Sequence, residues 1–400
     1  MRVAGIICEC NPLHGGHLYL MEQARADGAD AVVCVMSGCF TQRGEAAVFD
    51  PRTRAEMILA EGGADAVFEL PFPYSAAGAE QFALAGVSIL QRLGVDELWF
   101  GSECGELALL QRCAEIACSD AFLQAYRERC RLGASGTAES YFALLREMGG
   151  MDMPLSNDIL GIAYLKAILT QNASMKAVTV KRLGSAYREK ALTVDSFPSA
   201  TALRRLISEE GVSALGAYAS DAVMTLARRQ TENGCAPAAL ALAERAILAR
   251  FRLISTDALE SIPELSGGLG RRMAEISSKV ETLEDLIGRS VTKKYTEARV
   301  RRGILFAMTG VEESDLKRIP AYAVLLAANR TGCRFLSERK KSREIGVVTC
   351  HGDLPDTSDA KRQEELTRRA FALYGLMLPR VRSVESFLRC SSVMKFDSDS

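Results

Sequence analysis

The feature that most limits how this 400-residue chain can fold is the alternation in its first hundred residues. Short, almost wholly apolar runs alternate with amphipathic stretches of helical length. The runs are Arg2-Val3-Ala4-Gly5-Ile6-Ile7-Cys8, Asp30 to Met36, Ala64 to Leu70 and Val95 to Gly101. Strands apolar on both faces belong in a parallel sheet covered on both sides, with the helices between them as crossovers. Those helices are expected from about Gly16 to Ala26, from Asp50-Pro51 to about Glu61, and from Glu80 to Leu93. Asp50 is a good helix cap and Pro51 suits the first helical position. Residues 105–170 read mostly as helix, interrupted at Gly149-Gly150 and Met153-Pro154, and Lys176 to Val180 returns as a fifth strand. The expectation is an α/β fold, a five-stranded parallel sheet with a helical insertion at about 105–170. From Ser199 onward the pattern is mainly helical, with one ambiguous run from Ile345 to Thr349. The expected division is therefore 1–210 and 211–400.

Composition removes several classes of function. The chain is 48% hydrophobic and 25% charged with a net charge of -1, so no global basic field advertises nucleic acid, although local clusters still can. No run of about 18 apolar residues occurs, so no membrane span is expected. The N-terminus enters a strand pattern at once and does not resemble a signal peptide. Twelve cysteines include no Cys-x-x-Cys pair; Cys8 and Cys10 flank Glu9, and Cys104, Cys113, Cys118 and Cys130 are scattered. That usage fits free, mostly buried thiols in a reducing cytoplasm, with no metal site.

Chemistry concentrates at the turn after the first strand. Only three histidines occur, and His14 and His17 stand in Asn11-Pro12-Leu13-His14-Gly15-Gly16-His17, between strand 1 and a helix. A helix N-terminus favours an anion, glycines let the backbone approach it, and two imidazoles can donate to phosphoryl oxygens. In open parallel sheets ligands bind beyond the carboxyl ends of the strands. Ser37-Gly38 and Gly101-Ser102 lie at two further such ends. The third histidine, His351, follows Cys350 with no second cysteine at ligand spacing, and is expected to be structural.

His-x-Gly-His after a first strand resembles the signature of the HxGH nucleotidyltransferase superfamily, whose fold is a Rossmann-like sheet and whose histidines bind ATP phosphates. Pro198-Ser199-Ala200-Thr201-Ala202-Leu203-Arg204 resembles its Ser-Ser-Thr-x-x-Arg element, although Ser199 or Thr201 could equally be an ordinary helix cap. The likeness extends to one family. Glu9 to His17, Val35 to Glu45, Glu69-Leu70-Pro71, Phe100 to Glu103, Ser156 to Gly161, Lys181-Arg182, Ser199-Ala200-Thr201 and Lys294-Tyr295-Thr296 resemble the bacterial tRNA(Met) cytidine acetate ligases.

That resemblance implies activation of acetate by ATP to acetyl-adenylate, release of pyrophosphate, and acetylation of N4 of the wobble cytidine of elongator tRNA(Met). It implies ATP, as its Mg²⁺ complex, at Ile7, Cys8, Glu9, Asn11, Pro12, His14, Gly16, His17, Leu20, Gly101, Asn157 and Arg182. His14, His17, Ser199 and Thr201 would act on the phosphates. The sequence departs from the family pattern at Cys10, Leu13, Gly15 and Cys39, the last removing a polar group near the expected cleft.

RNA contacts need cations. The candidates are Arg204-Arg205, Lys181-Arg182 with Arg188 and Lys190, Arg271-Arg272, Lys293-Lys294 with Arg299, Arg301 and Arg302, and Arg339 to Arg343. Tyr295, beside Lys293 and Lys294, is a candidate base-stacking platform. Two other activities stay open on the residues alone: a nucleotidyltransferase acting on a small substrate, or a non-catalytic RNA-binding protein.

Overall fold

The computed structural model describes residues 1–131, 138–151, 155–182, 198–349, 354–388 and 392–395. Arg188, Lys190, Cys350, His351, the turn at Met153-Pro154 and the C-terminal tail lie outside them.

The five expected strands form: β1 Val3–Cys8, β2 Ala31–Ser37, β3 Ala66–Leu70, β4 Glu97–Ser102 and β5 Lys176–Lys181. They are all parallel and lie in the order β5-β4-β1-β2-β3. β1 to β3 are buried throughout, whereas the edge strand β5 is half-exposed. Helices Gly15–Ala26, Pro51–Ala60 and Ala79–Leu93 connect the strands, within a residue or two of their expected bounds. The insertion consists of helices Leu107–Cys118, Asp120–Arg131, Ala138–Glu147 and Ser156–Thr170.

The sheet is larger than five strands. β6 Tyr322–Asn329 pairs antiparallel with β3, and β7 Gly346–Val348 and β8 Val393–Lys395 pair parallel with β6. Chain from beyond residue 211 thus completes the sheet edge. Tyr-Ala-Val-Leu-Leu-Ala-Ala-Asn is an apolar run, which periodicity alone cannot separate from buried helix.

One apolar layer lies beneath each face of the sheet. Val3, Ile7, Val33, Val35, Phe68 and Leu70 face the helices Ala79–Leu93 and Ser156–Thr170. Ala4, Ile6, Cys34 and Met36 face the helices Pro51–Ala60 and Ala200–Glu210. A third cluster holds a helical body that includes Glu244–Leu253, Leu269–Ser277, Glu297–Thr309 and Ser358–Leu376. This body docks on the loops after β2 and β3. Phe40 packs edge-on against Tyr374 at 6.2 Å, Phe72 against Phe306 at 5.9 Å, and the Tyr374 hydroxyl donates to the Ala47 carbonyl at 2.9 Å.

The loops at the carboxyl ends of β1 and β2 are gathered by Arg54, whose side chain is fully buried. Its guanidinium donates to the carbonyls of Phe49 (3.0 Å), Glu9 (2.5 Å) and Ser37 (2.8 Å), and to that of Gly38. Arg54→Leu removes all these bonds and leaves buried carbonyls without partners, each costing about 1–3 kcal/mol. The expected loss in urea unfolding is at least about 3 kcal/mol. A loss below about 1 kcal/mol would show that the loops hold themselves without it.

Candidate active site

Strand order reverses between β1 and β4, which is where an open parallel sheet leaves a crevice for a ligand. Residues 9–17 fill the carboxyl end of β1 there. Cys10 takes a left-handed φ of 46° and is wholly buried, turning the chain out of the sheet. Asn11 is 1% exposed, and its Oδ1 accepts the Val48 N–H at 2.8 Å. His14 caps the first helix, with Nδ1 accepting the Gly16 N–H at 3.0 Å. A Cβ at Gly16 would stand 3.0 Å from that imidazole, so any larger residue would press on the ring. Since Nδ1 is an acceptor, the proton of neutral His14 sits on Nε2, where it can donate outward. His17, one turn on, stacks obliquely on His14 with ring centroids 3.9 Å apart.

Two more elements bring charge to the pair. Burial first, then the cations of Arg182 and Arg204, push His14 down to about 4. Burial, His14 and Arg182 push His17 well below its usual value. Both imidazoles are therefore neutral at pH 7. Arg182, just past β5, donates to Asn157 Oδ1 at 3.3 Å. Asn157 Nδ2 donates to Glu103 at 2.6 Å, and Glu103 also accepts the Asn157 and Asp158 backbone N–H groups. Gly101 abuts the Arg182 stem. Gly101, Asn157 and Arg182 thus meet at the ends of β4 and β5, facing the histidines.

The Ser199–Arg204 element reaches the same place from the other side. Ser199 caps the helix Ala200–Glu210, its Oγ accepting the Ala202 N–H at 3.2 Å while its hydroxyl proton stays available. Arg204 donates to Thr201 Oγ1 (3.2 Å) and to the Asn11 carbonyl (2.9 Å), and pairs with Glu45 (3.0 Å). Ile7 and Cys8 lie at the end of β1, and Pro12 is buried in the turn; Leu20 lies on the first helix. Cys10 and Leu13 are core residues, and so is Cys39, whose thiol burial and Glu69 push up. Among the described residues, nine buried side-chain polar atoms lack a partner. Two of them, Asn11 Nδ2 and His17 Nδ1, belong to the histidine turn, and Gln42 Nε2 and Tyr164 Oη are on residues that face Glu9. Buried donors without partners are costly, and a polar ligand would satisfy them.

The cations expected to grip RNA are placed otherwise. Arg301 pairs with Glu45 (3.2 Å) and Glu297 (2.5 Å); Arg302 pairs with Glu264 (2.9 Å) and donates to the Gln42 carbonyl (3.3 Å). Arg204 belongs to the crevice. Tyr295 is not a base platform: it is 8% exposed, its hydroxyl donates to the Gly267 carbonyl at 2.6 Å, and Lys294 and Arg299 lie over its ring. Lys293 and Lys294 are exposed, although Lys294 also donates to the Gly267 carbonyl. Arg339 bonds the Met1 carbonyl and Asp96, at the amino ends of the strands, about 20 Å of strand from the histidines. Three site residues had no assigned role in the sequence: Arg54, Glu45 and Glu103. A lone cation on the apolar side of its helix, beside Ile58, was the available signal for Arg54. Glu45 and Glu103 carried no such signal, because their partners are remote in sequence.

The fold and the paired histidines define a class, the nucleotidyltransferases, and a model of the HIGH Nucleotidyl Transferase family matches residues 1–386. Within that class the chain belongs to the tRNA(Met) cytidine acetate ligases. It is 35% identical over 359 residues to the ligase of Caldanaerobacter subterraneus subsp. tengcongensis, covering 87% of this chain and 88% of the relative. It is 34% identical over 404 residues to that of Syntrophotalea carbinolica, covering 95% of each. Its structure is similar to Thermotoga maritima TmcAL in a crystal structure bound with alpha-thio ATP, with TM-score 0.89, 28% identity, and 99% of this chain and 100% of that one covered. The apo form of the same protein gives TM-score 0.91.

The neutral His14 sets a pH dependence. Between about 4 and the usual 6.5 the unfolded chain binds a proton that the folded chain does not. Its contribution to stability is complete above pH 6.5 and is lost as pH falls to about 4, roughly 3 kcal/mol in all. His14→Asn keeps a capping acceptor and should flatten that part of the profile, measured by urea unfolding from pH 7.5 to 4. An unchanged slope would place the titration elsewhere.

Proposed function

We propose that the protein is an ATP-dependent ligase that converts acetate to acetyl-adenylate and then acetylates N4 of the wobble cytidine of elongator tRNA(Met). What carries the proposal is the convergence of His14, His17, Arg182 and Arg204 at the crevice between β1 and β4. An acetate oxygen attacks the α-phosphorus of ATP, and pyrophosphate leaves with the electron pair of the broken P–O bond. Charge moves onto phosphoryl oxygens, so fixed donors and cations lower the barrier without covalent participation of the protein. The imidazole N–H groups of His14 and His17 donate to those oxygens. Ser199 and Thr201 hydroxyls hold the outer phosphates, and Arg182 and Arg204 neutralise them. Ile7, Cys8, Glu9, Asn11, Pro12, Gly16, Leu20, Gly101 and Asn157 shape the nucleotide site.

Among the described residues no group of three or more His, Cys, Asp or Glu could hold a metal ion. Mg²⁺ would therefore ride on the nucleotide phosphates, supplying charge neutralisation there. No described helix is long and apolar enough to cross a membrane. Work on tRNA would set the protein in the cytoplasm. Residues 1–210 would form the catalytic part and 211–400 grip the RNA, with Lys293 and Lys294 among its exposed cations.

The first test is acetate-dependent exchange of labelled pyrophosphate into ATP, with and without tRNA. Exchange that needs acetate and not tRNA is the expected result. No exchange under either condition would overturn the proposal. His17→Ala should abolish exchange while tRNA binding, read by filter retention, survives. Equal loss of both in a folded variant would refute the division between nucleotide site and RNA surface.

A further inference from the structure

Acetate attacks ATP as an anion and needs no base. The second half-reaction differs: the cytidine amine must lose a proton as it is acylated. The residue best placed to take it is Glu9, directly after β1 at the point where strand order reverses. Its position is fixed twice. Arg54 holds its backbone carbonyl at 2.5 Å, and the Gln42 N–H donates to its Oε1 at 2.8 Å. Among the described residues its Oε2 makes no hydrogen bond.

The groups facing Glu9 come from three elements besides its own. They are Arg204 of the helix Ala200–Glu210, Arg43 and Glu45 of the loop after β2, and Tyr164 of the helix Ser156–Thr170, with Cys10 next in the chain. Burial raises the Glu9 carboxyl above its usual value, and the Gln42 N–H with the cations Arg204 and Arg43 holds part of that rise back. Such a carboxylate is more basic than an exposed one, which suits proton abstraction. His14 is a worse candidate, because its Nδ1 is occupied by the Gly16 N–H.

We propose that Glu9 is the general base of the acetyl-transfer step, an assignment that rests on the ligase function above. The N4 lone pair forms the C–N bond to the acetyl carbon. The C–O bond to AMP breaks, and AMP leaves with its electron pair. The N4 proton passes to Glu9 Oε2.

Glu9→Gln keeps an oxygen for the Gln42 N–H but cannot accept the proton. Two rates are compared on the full-length protein: acetate-dependent pyrophosphate exchange, and single-turnover transfer from preformed acetyl-adenylate to tRNA. Transfer should fall about 100-fold or more, and exchange by a factor at least ten times smaller. Glu9→Asp should recover part of the transfer rate, and the rise of the wild-type rate with pH should be absent in Glu9→Gln. Equal loss of exchange and transfer would make Glu9 a shaping residue and overturn the proposal. Wild-type transfer by Glu9→Gln would place the base elsewhere. A wild-type protein without acetate-dependent exchange or tRNA acetylation would overturn the ligase function and this assignment with it.

Discussion

A single buried guanidinium organises the ligand edge of this protein. Parallel strands end in loops whose carbonyls have no ladder partner, and four of those carbonyls converge on Arg54. They come from the end of β1, the end of β2 and the approach to the Arg54 helix itself. A planar fork of five donors can serve several acceptors in fixed directions, whereas an ammonium cannot. The turn that carries His14 and His17 springs from one of these loops. The loop that meets the helical body springs from another, so the histidines and the body share one anchor.

That second loop, from Gly38 to Asp50, is the hinge piece of the architecture in a purely spatial sense. Gly44 lies against the backbone of Arg301 and Arg302, where any side chain would collide within 2.7 Å. Glu45 stands between Arg204 of the crevice and Arg301 of the body, and Ala47 takes the Tyr374 hydroxyl. Residues separated by more than 250 positions are thereby held within hydrogen-bond reach. Cations that form a basic cluster along the chain are consequently neutralised one by one in space.

The crevice itself is preorganised. Two neutral imidazoles, one with its proton committed to Nε2 by the Gly16 N–H, stand opposite Arg182 and Arg204. Donors held by caps and carbonyls need little reorganisation when phosphate charge develops, which is how such groups lower a barrier. Burial first, and the nearby Arg182 cation with it, keep both histidines unprotonated.

The sequence by itself determined the parallel five-strand core and the histidine turn. Strand length, apolarity on both faces and the caps at Asp50 and Ser199 are local signals that survive without knowledge of partners. It also marked the cleft residues Gly101, Asn157 and Arg182 through likeness to a family. Tertiary structure alone decided that β6 completes the sheet, that Tyr295 is core, that Arg301 and Arg302 are clamps, and that Arg54 gathers the loops. Each of these depends on a partner remote in the chain: β3 for β6, Gly267 for Tyr295, Glu45 and Glu264 for the arginines, and free carbonyls for Arg54. Periodicity reports what a residue does to its neighbours along the chain, while the fate of a charge or an apolar run depends on what packing brings against it.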